Sequence, residues 1–340
     1  MFARELNVDL LLSHVRAAPD GAVAALLANW VVPGQRPHRE GRLGLRFAIR
    51  NGYANFYAEG QSVAKLTLSS KSITLETHRK YHLGVVKDKQ EALEEGSAYC
   101  TFSGDRLHAL TEADVLRWTR IARHYASAEK CFVERLVAQN PNIIDLEAGL
   151  PGRTAPRIDL AVTEMVNGRP TIGFWEAKCI NNTGLSATTP HDASNRRQGP
   201  KVFTQVLQYQ DWLSENIPAV AAAYQRSASI MVALADGLIA INEERFGHLH
   251  KLDDSIRALA SALPEVNVRP GLVVGTKCPS GWLDRQPDES KTAHLQDFAD
   301  SLRRYRAANP SHEAHVRAFF GSSYVPSDEM TLYRLPQLVG

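Results

Sequence analysis

The sequence predicts a mixed α+β or α/β chain with a smaller, mainly β unit at its N-terminal end. Three patterns predict it. Residues 43–83 alternate apolar and polar with period two and carry an Asn51-Gly52 turn, the signature of paired strands. Residues 111–140 change to helical spacing. A second turn signal, Asn167-Gly168, then joins two strand-like runs at 157–166 and 169–178.

Taken in order, residues 1–30 read as helical, with Leu6, Leu10, Val23, Leu26 and Leu27 on apolar stripes. Residues 31–41 are a loop. Four runs over 43–83 predict a four-strand meander, and this unit extends to about residue 105. It is assigned no chemistry. His78 and His82 fall at a strand end, where a surface role fits better than metal ligation. Arg46, Arg50, Arg79 and Lys80 read as solvated strand charges or as a basic face. Thr111 and Asp114 form a capping-box-like start to one long helix that ends before Pro141. Its apolar stripe is Val115, Ala122, Ala126, Phe132, Val133, Leu136 and Val137, and Glu129 is spaced to point into it. Glu134 lies nearer the other face. A boundary residue paired with a cation is the plain alternative for Glu129, and which of the two is the functional carboxylate stays open.

Residues 142–150 read as a short strand ahead of the 157–178 hairpin. The following loop is small and polar and ends in Arg196, Arg197 and Lys201, which could hold a phosphodiester backbone or simply face solvent. Residues 201–215 predict a helix anchored by Val202, Val206, Trp212 and Leu213, with Gln205 and Tyr209 one turn apart on one face. Helices over 218–246 and 252–263, a buried strand at 269–277, an amphipathic helix at 291–309 and two closing strands complete the reading.

With 340 residues the chain can bury a sizeable core, and 44% hydrophobic with 22% charged residues is ordinary for a globular protein. A net charge of +2 neither requires nor excludes nucleic acid. The cysteines at 100, 131, 179 and 278 form no CxxC pair, so no disulfide framework or zinc site is expected, and a reducing, cytoplasmic setting fits. The N-terminus does not read as a signal peptide, and the apolar stretch 230–241 is too short to span a bilayer.

The hairpin carries the chemistry. If Asn167-Gly168 is the whole loop, the numbers of opposed residues sum to 335, and Asp159 faces Glu176 directly. Lys178, two residues on, shares their face. A loop widened by Pro170 would instead set Asp159 against Lys178, and the three would still share a face. Two facing carboxylates stay ionised only around a cation. Lys178 is one; Mg²⁺ or Mn²⁺ suits hard oxygen ligands better. An ordinary surface salt-bridge cluster is the alternative, but Gly173, Phe174, Trp175, Ala177, Cys179 and Ile180 make the strand look buried.

The order helix with Glu129, strand, Asp159 strand, Glu176-Ala177-Lys178 strand, helix with Gln205 and Tyr209, strand resembles the PD-(D/E)xK nuclease superfamily. AEKCFVERL resembles the first helix of archaeal Holliday-junction resolvases, and Gln205 to Tyr209 looks like the QxxxY element of the exonuclease branch. The resemblance covers roughly 111–280. Ile158 rather than Pro precedes Asp159, a departure that leaves the motif less specific.

The resemblance implies a restriction-endonuclease-like domain over 106–340 behind an N-terminal domain over 1–105, with a mixed central sheet flanked by helices. It implies a metal-dependent nuclease, with DNA as the partner and genome defence or restriction as a guessed setting. Asp159, Glu176, the Ala177 carbonyl and Glu129 would hold Mg²⁺, or Mn²⁺ in its place. Lys178 would orient or help deprotonate water, and Gln205 and Tyr209 would position the phosphate or the Lys178 ammonium. A non-catalytic nucleic-acid-binding or scaffold module is the second reading. A purely structural salt-bridge network, which predicts that loss of Lys178 destabilises the fold, is the third. No membrane partner is expected, and a homodimer or a partner protein is left open.

Overall fold

The computed structural model describes residues 2–35, 44–84, 98–151, 157–179, 182–186 and 201–275, and the backbone of 318–320. Arg196 and Arg197, the helix at 291–309 and the last expected strand lie outside the described residues.

The helical start resolves into α1 (Val8–Ala17) and α2 (Ala22–Ala28). Pro19, Asp20 and Gly21 separate them, a turn sequence that cannot continue a helix. Asn7 caps α1 by accepting the Leu10 amide at 3.0 Å. The meander follows as β1 (Arg46–Ile49), β2 (Tyr53–Ala58), β3 (Gln61–Leu68) and β4 (Ile73–His78). After the short helix α3 (Arg79–His82) it gains a fifth strand, β5 (Tyr99–Phe102), antiparallel to β4. That strand has four residues, too short to announce itself by period. A turn the sequence reading passed over closes β2 on β3. Ala58 pairs with Gln61, and Glu59 and Gly60 both take positive φ, 48° and 69°, as a two-residue hairpin loop requires. At Asn51-Gly52 only Gly52 does so, at 78°; its amide donates to the Glu5 carbonyl at 2.8 Å.

Past α4 (Asp105–His108), the expected long helix is two, α5 (Glu112–Arg123) and α6 (Ala128–Gln139). The capping box at Thr111 and Asp114 is present. The break comes where Ser127 caps α6 by accepting the Lys130 amide at 3.3 Å, while Gln61 takes the Tyr125 carbonyl at 2.9 Å. Serine competes with the helix through its own side chain, so it starts helices more readily than it continues them.

The second sheet is mixed. β6 (Ile143–Gly149), β7 (Arg157–Val166) and β8 (Arg169–Cys179) run antiparallel. Then come α7 (Thr183–Ser186), α8 (Lys201–Glu215), α9 (Ile217–Ile241), α10 (Glu243–Phe246), a 3-10 turn (Gly247–Lys251) and α11 (Asp254–Ser261). β9 (Glu265–Val266) and β10 (Gly271–Gly275) return parallel to β8, and β11 (Ala318–Phe320) lies parallel to β10. The order across the sheet is β11-β10-β8-β7-β6, with β9 also on β8. Phe132, Val133, Leu136 and Val137 of α6 pack with Leu160, Trp175 and Ala177. Phe174 packs in a second core with Tyr209 of α8 and Tyr224 of α9. Gly271 is needed beside β8, because a Cβ there would stand 2.3 Å from the Trp175 ring.

Buried charges fasten the two sheets together, which corrects the solvated reading of Arg46 and Arg50. Arg46 pairs with Glu134 at 2.7 Å and donates to the Val31 and Val32 carbonyls. Glu134 is therefore the inward residue of α6, not the outer one. Arg50, Arg4 and the Tyr224 hydroxyl all converge on Asp145, at 2.6, 2.9 and 3.2 Å. Cys179 is disulfide-bonded, while Cys100 and Cys131 are free, so the expectation of unpaired cysteines fails at that position.

Removing one partner from a buried charge network leaves the rest uncompensated. Asp145→Ala strands Arg4 and Arg50, and is expected to cost about 3–5 kcal/mol in urea unfolding; a loss below about 1 kcal/mol would show that the clamp is not structural.

Candidate functional site

The β7–β8 hairpin has the two-residue loop. Val166 pairs with Arg169 and Met165 with Pro170, so Pro170 does not widen it. Asn167 and Gly168 take φ of 51° and 77°. The pairing runs to Leu160 opposite Trp175, and the next step brings Asp159 to Glu176. There the strands exchange a side-chain bond: the Ala177 amide donates to Asp159 Oδ2 at 2.8 Å.

Lys178 Nζ lies at the centre. It is 2.6 Å from Glu176 Oε1, 3.3 Å from Glu129 Oε1 and 3.8 Å from Asp159 Oδ2. The three carboxylates arrive from β8, α6 and β7. Glu129, on the first turn of α6, is thus the helix carboxylate that reaches this cluster. Its other oxygen accepts from Asn182 Nδ2 at 2.6 Å, and Asn182 Oδ1 accepts the Gly184 amide at 2.8 Å. Asn182 escaped the sequence reading, although an Asn just before a short helix is a capping signal.

Glu176 is 1% exposed and its second oxygen meets the Tyr209 hydroxyl at 3.1 Å. The single Tyr209 hydroxyl proton lies between that carboxylate and the Arg157 carbonyl, and the phenol oxygen accepts from Gln205 Nε2. The i, i+4 pair on α8 is therefore a fixed support for Glu176. Lys201 opens α8 exposed to solvent, one turn before Gln205. Of the residues singled out from sequence, Asp159, Glu176, Lys178, Glu129, Gln205 and Tyr209 come together. Ala177 joins through its amide; its carbonyl belongs to the strand that β10 pairs with.

Electrostatics mark the cluster as strained. Burial pushes Asp159 well above the usual carboxylate range, and the Glu176 charge adds to it, with Lys178 opposing. Glu176 is raised as well, mainly by burial, against the pull of Lys178. Burial alone would lower Lys178, but Asp159, Glu176 and Glu129 more than reverse it. Burial and then the Glu176 charge raise the Tyr209 phenol. Three carboxyl groups face one ammonium, and with all three ionised the excess is two negative charges. Hard oxygen donors with surplus negative charge fit a divalent cation in chemistry. In arrangement, the carboxylates are gathered around Nζ, and among the described residues no group of three or more His, Cys, Asp or Glu stands ready to hold a metal. The site also departs from an open, solvated one, because Glu176 is buried. Loss of Lys178 alone would leave three carboxylates unneutralised, so destabilisation of that variant does not single out the structural reading.

No protein-family model, curated protein or solved structure matches this chain. Among the described residues no helix is long and apolar enough to cross a membrane.

A carboxylate raised by folding holds its proton in the folded state at a pH where the unfolded chain has lost it. The ionised Asp159 therefore costs stability, and that cost develops as pH rises from the ordinary value of about 4 through its raised value. Asp159→Asn keeps an oxygen for the Ala177 amide and removes the charge. It is expected to raise stability by about 0.5–2 kcal/mol at pH 8, with the gain shrinking toward pH 4. Thermal melts across that range check this, and a variant less stable than wild type at pH 8 would contradict it.

Proposed function

We propose that this chain is a metal-dependent phosphodiester hydrolase acting on nucleic acid, with DNA as the substrate to test first. The observation that carries the reading is the uncompensated charge at Lys178. Other buried networks in the same protein are balanced or better: Glu134 has Arg46, and Asp145 has both Arg4 and Arg50. Only around Lys178, among the described residues, do three carboxylates share one cation. Excess negative charge in a buried cluster is unfavourable to folding and suits a site completed by a cation. The element sequence α6, β6, β7, β8, α8, β10 also follows the order that the nuclease resemblance implies.

Asp159, Glu176 and Glu129 would hold Mg²⁺ or Mn²⁺, with the Ala177 carbonyl as a further donor. Bound there, the ion would lower the pKa of water and offset the charge growing on the scissile phosphate. The chain's own groups do the rest. Tyr209, held by Gln205 and the Arg157 carbonyl, fixes the Glu176 carboxylate. Asn182 fixes Glu129. Lys178, kept protonated by its neighbours, donates hydrogen bonds to the attacking water or to a phosphate oxygen. An arginine would not serve, because its planar fork cannot occupy the point that a single ammonium fills here.

A specific observation favours the structural reading enough to test it alongside: Nζ already lies within 4.0 Å of all three carboxylates. Purified protein is incubated with supercoiled plasmid and with linear single-stranded DNA in Mg²⁺, Mn²⁺ or EDTA. Cutting is expected with either metal and not with EDTA, reduced by about 10²–10⁴-fold in Lys178→Ala. Asp159→Asn, expected to be well folded, should lose both cutting and Mn²⁺ binding in calorimetry. Wild-type protein that neither cuts nor binds Mn²⁺ would remove the metal reading and leave an ion-pair network. Mn²⁺ binding without cutting of either DNA would leave a metal-binding module without this activity.

A further inference from the structure

Three carboxyl groups already hold Lys178, so a phosphodiester chain at this cluster needs a further cation. Arg157 supplies one. It opens β7, two residues before Asp159, and strand alternation puts the two side chains on one face, about 7 Å apart along the chain. Its carbonyl lies at the Tyr209 hydroxyl, which also meets Glu176. The Arg157 backbone is thus part of the site's frame, while its side chain is 71% exposed.

β6 shows how the guanidinium is held. Leu146 pairs with Leu160 and Ala148 with Ile158, so Glu147 stands opposite Asp159. Burial dominates the raised Asp159 carboxyl, and the Glu147 charge is near enough to add to it. Glu147 takes φ of 53°. The other non-glycine positions with positive φ among the described residues, Glu59 and Asn167, lie in two-residue hairpin loops; Glu147 lies inside a strand. A left-handed residue there persists only where its surroundings enforce it. Arg50 does so, donating to the Leu146 and Glu147 carbonyls at 2.6 and 3.2 Å. The Glu147 carboxylate comes within 3.7 Å of the Arg157 guanidinium, near enough to attract it but too far for a hydrogen bond. Among the described residues the guanidinium has no other ion-pair partner and donates no hydrogen bond. Its fork of donors is oriented, exposed and unused, which suits bidentate recognition of a phosphate.

We propose that Arg157, steered by Glu147, is a substrate-binding residue that holds a backbone phosphate beside the scissile one in a nucleic acid strand lying across β7. This rests on the phosphodiester reading above for the identity of the partner. One strand step separates Arg157 from Asp159, so the guanidinium serves a neighbouring phosphate rather than the one at the Lys178 cluster.

Binding is measured apart from catalysis. Asp159→Asn serves as the parent, since it is expected to fold and not to cut. Fluorescence anisotropy of labelled oligo(dT) and oligo(U) is followed in EDTA at several salt concentrations, for the parent and with Arg157→Ala or Arg157→Lys added. Arg157→Ala should weaken binding about tenfold and flatten the slope of log affinity against log salt by about 0.7, the share of one single-strand phosphate contact. Arg157→Lys should restore the slope and only part of the affinity, because an ammonium keeps the charge without the fork. Thermal melts should show both variants folded, since the side chain is exposed and the contact with Tyr209 is made by the backbone. With Asp159 restored, Arg157→Ala should raise KM for cutting and leave kcat nearly unchanged. Unchanged affinity and slope in Arg157→Ala would overturn the inference, as would a slope that Arg157→Lys fails to restore or a parent that binds neither oligonucleotide. The expected binding changes in a protein whose wild type cuts nothing would uphold the contact and defeat the hydrolase reading. Cutting by wild type with the same KM and binding in Arg157→Ala would do the reverse. A preference for oligo(U) over oligo(dT) that Arg157→Ala weakens would uphold the contact and identify RNA as the partner.

Discussion

The fold depends on one buried carboxylate. Asp145 on β6 takes hydrogen bonds from Arg4 in the N-terminal arm, from Arg50 just after β1 and from the hydroxyl of Tyr224 on α9, and also from its neighbour's amide at Leu146. Four parts of the chain thus meet at one pair of oxygens. A desolvated carboxylate is expensive unless its lone pairs are filled, so the arrangement has little freedom: displacing any donor exposes the cost of the others. Arg46 does the same on a smaller scale, linking β1 to Glu134 of α6 and to three carbonyls of the loop before β1. Apolar packing gives the two sheets most of their attraction, but it is not directional. The charges fix how one sheet is set against the other.

Against that background the Lys178 cluster is built differently. At Asp145, cations outnumber the carboxylate; at Lys178, carboxylates outnumber the cation. No folding argument calls for the second pattern, since an uncharged or better-paired set would be more stable in the same space. Both Asp159 and Glu176 hold their protons more tightly than usual, chiefly because they are buried, with a neighbouring carboxylate adding to it. The surrounding hydrogen bonds relieve it only in part, and they also hold it in shape. Tyr209, Gln205 and the Arg157 carbonyl keep Glu176 in place, and Asn182 keeps Glu129 turned inward. A protein that maintains an unfavourable charge with uncharged supports is spending stability on geometry, the usual trade at functional sites.

How much of this the sequence disclosed follows from the range of the signals. The Asn167-Gly168 turn and strand alternation are local, and they correctly brought Asp159, Glu176 and Lys178 together. The i, i+4 spacing of Gln205 and Tyr209 is local too, and the pair is bonded. Glu129 was found by helical spacing, although the same spacing misplaced Glu134. A helical wheel assigns faces by apolar neighbours and has no means of knowing that Arg46 waits inside. Arg46 and Arg50 were read as solvated for the same reason: their partners lie 88 and 95 residues away. The break between α5 and α6 was missed because Ser127 is a weak signal in an otherwise continuous apolar stripe. The Glu59-Gly60 turn was missed because glutamate rarely takes positive φ; it does so here with its side chain buried 3.7 Å from Arg123.

That turn connects the meander to the helix that carries Glu129. Gly60 has φ of 69°, and a Cβ on it would come within 2.9 Å of the Lys130 side chain. The turn therefore fits against the first turn of α6 with no room to spare, and the Lys130 ammonium closes over it onto the Gly60 carbonyl. α6 is thus gripped at its N-terminal end by β2 and β3 and farther along by Arg46 through Glu134. Its first turn also delivers Glu129 to Lys178. A shift of the meander would move α6, and a shift of α6 would change the distance between Glu129 and the ammonium that three carboxylates share. The N-terminal sheet belongs to the site's supporting structure for that mechanical reason, independently of any ligand it contacts.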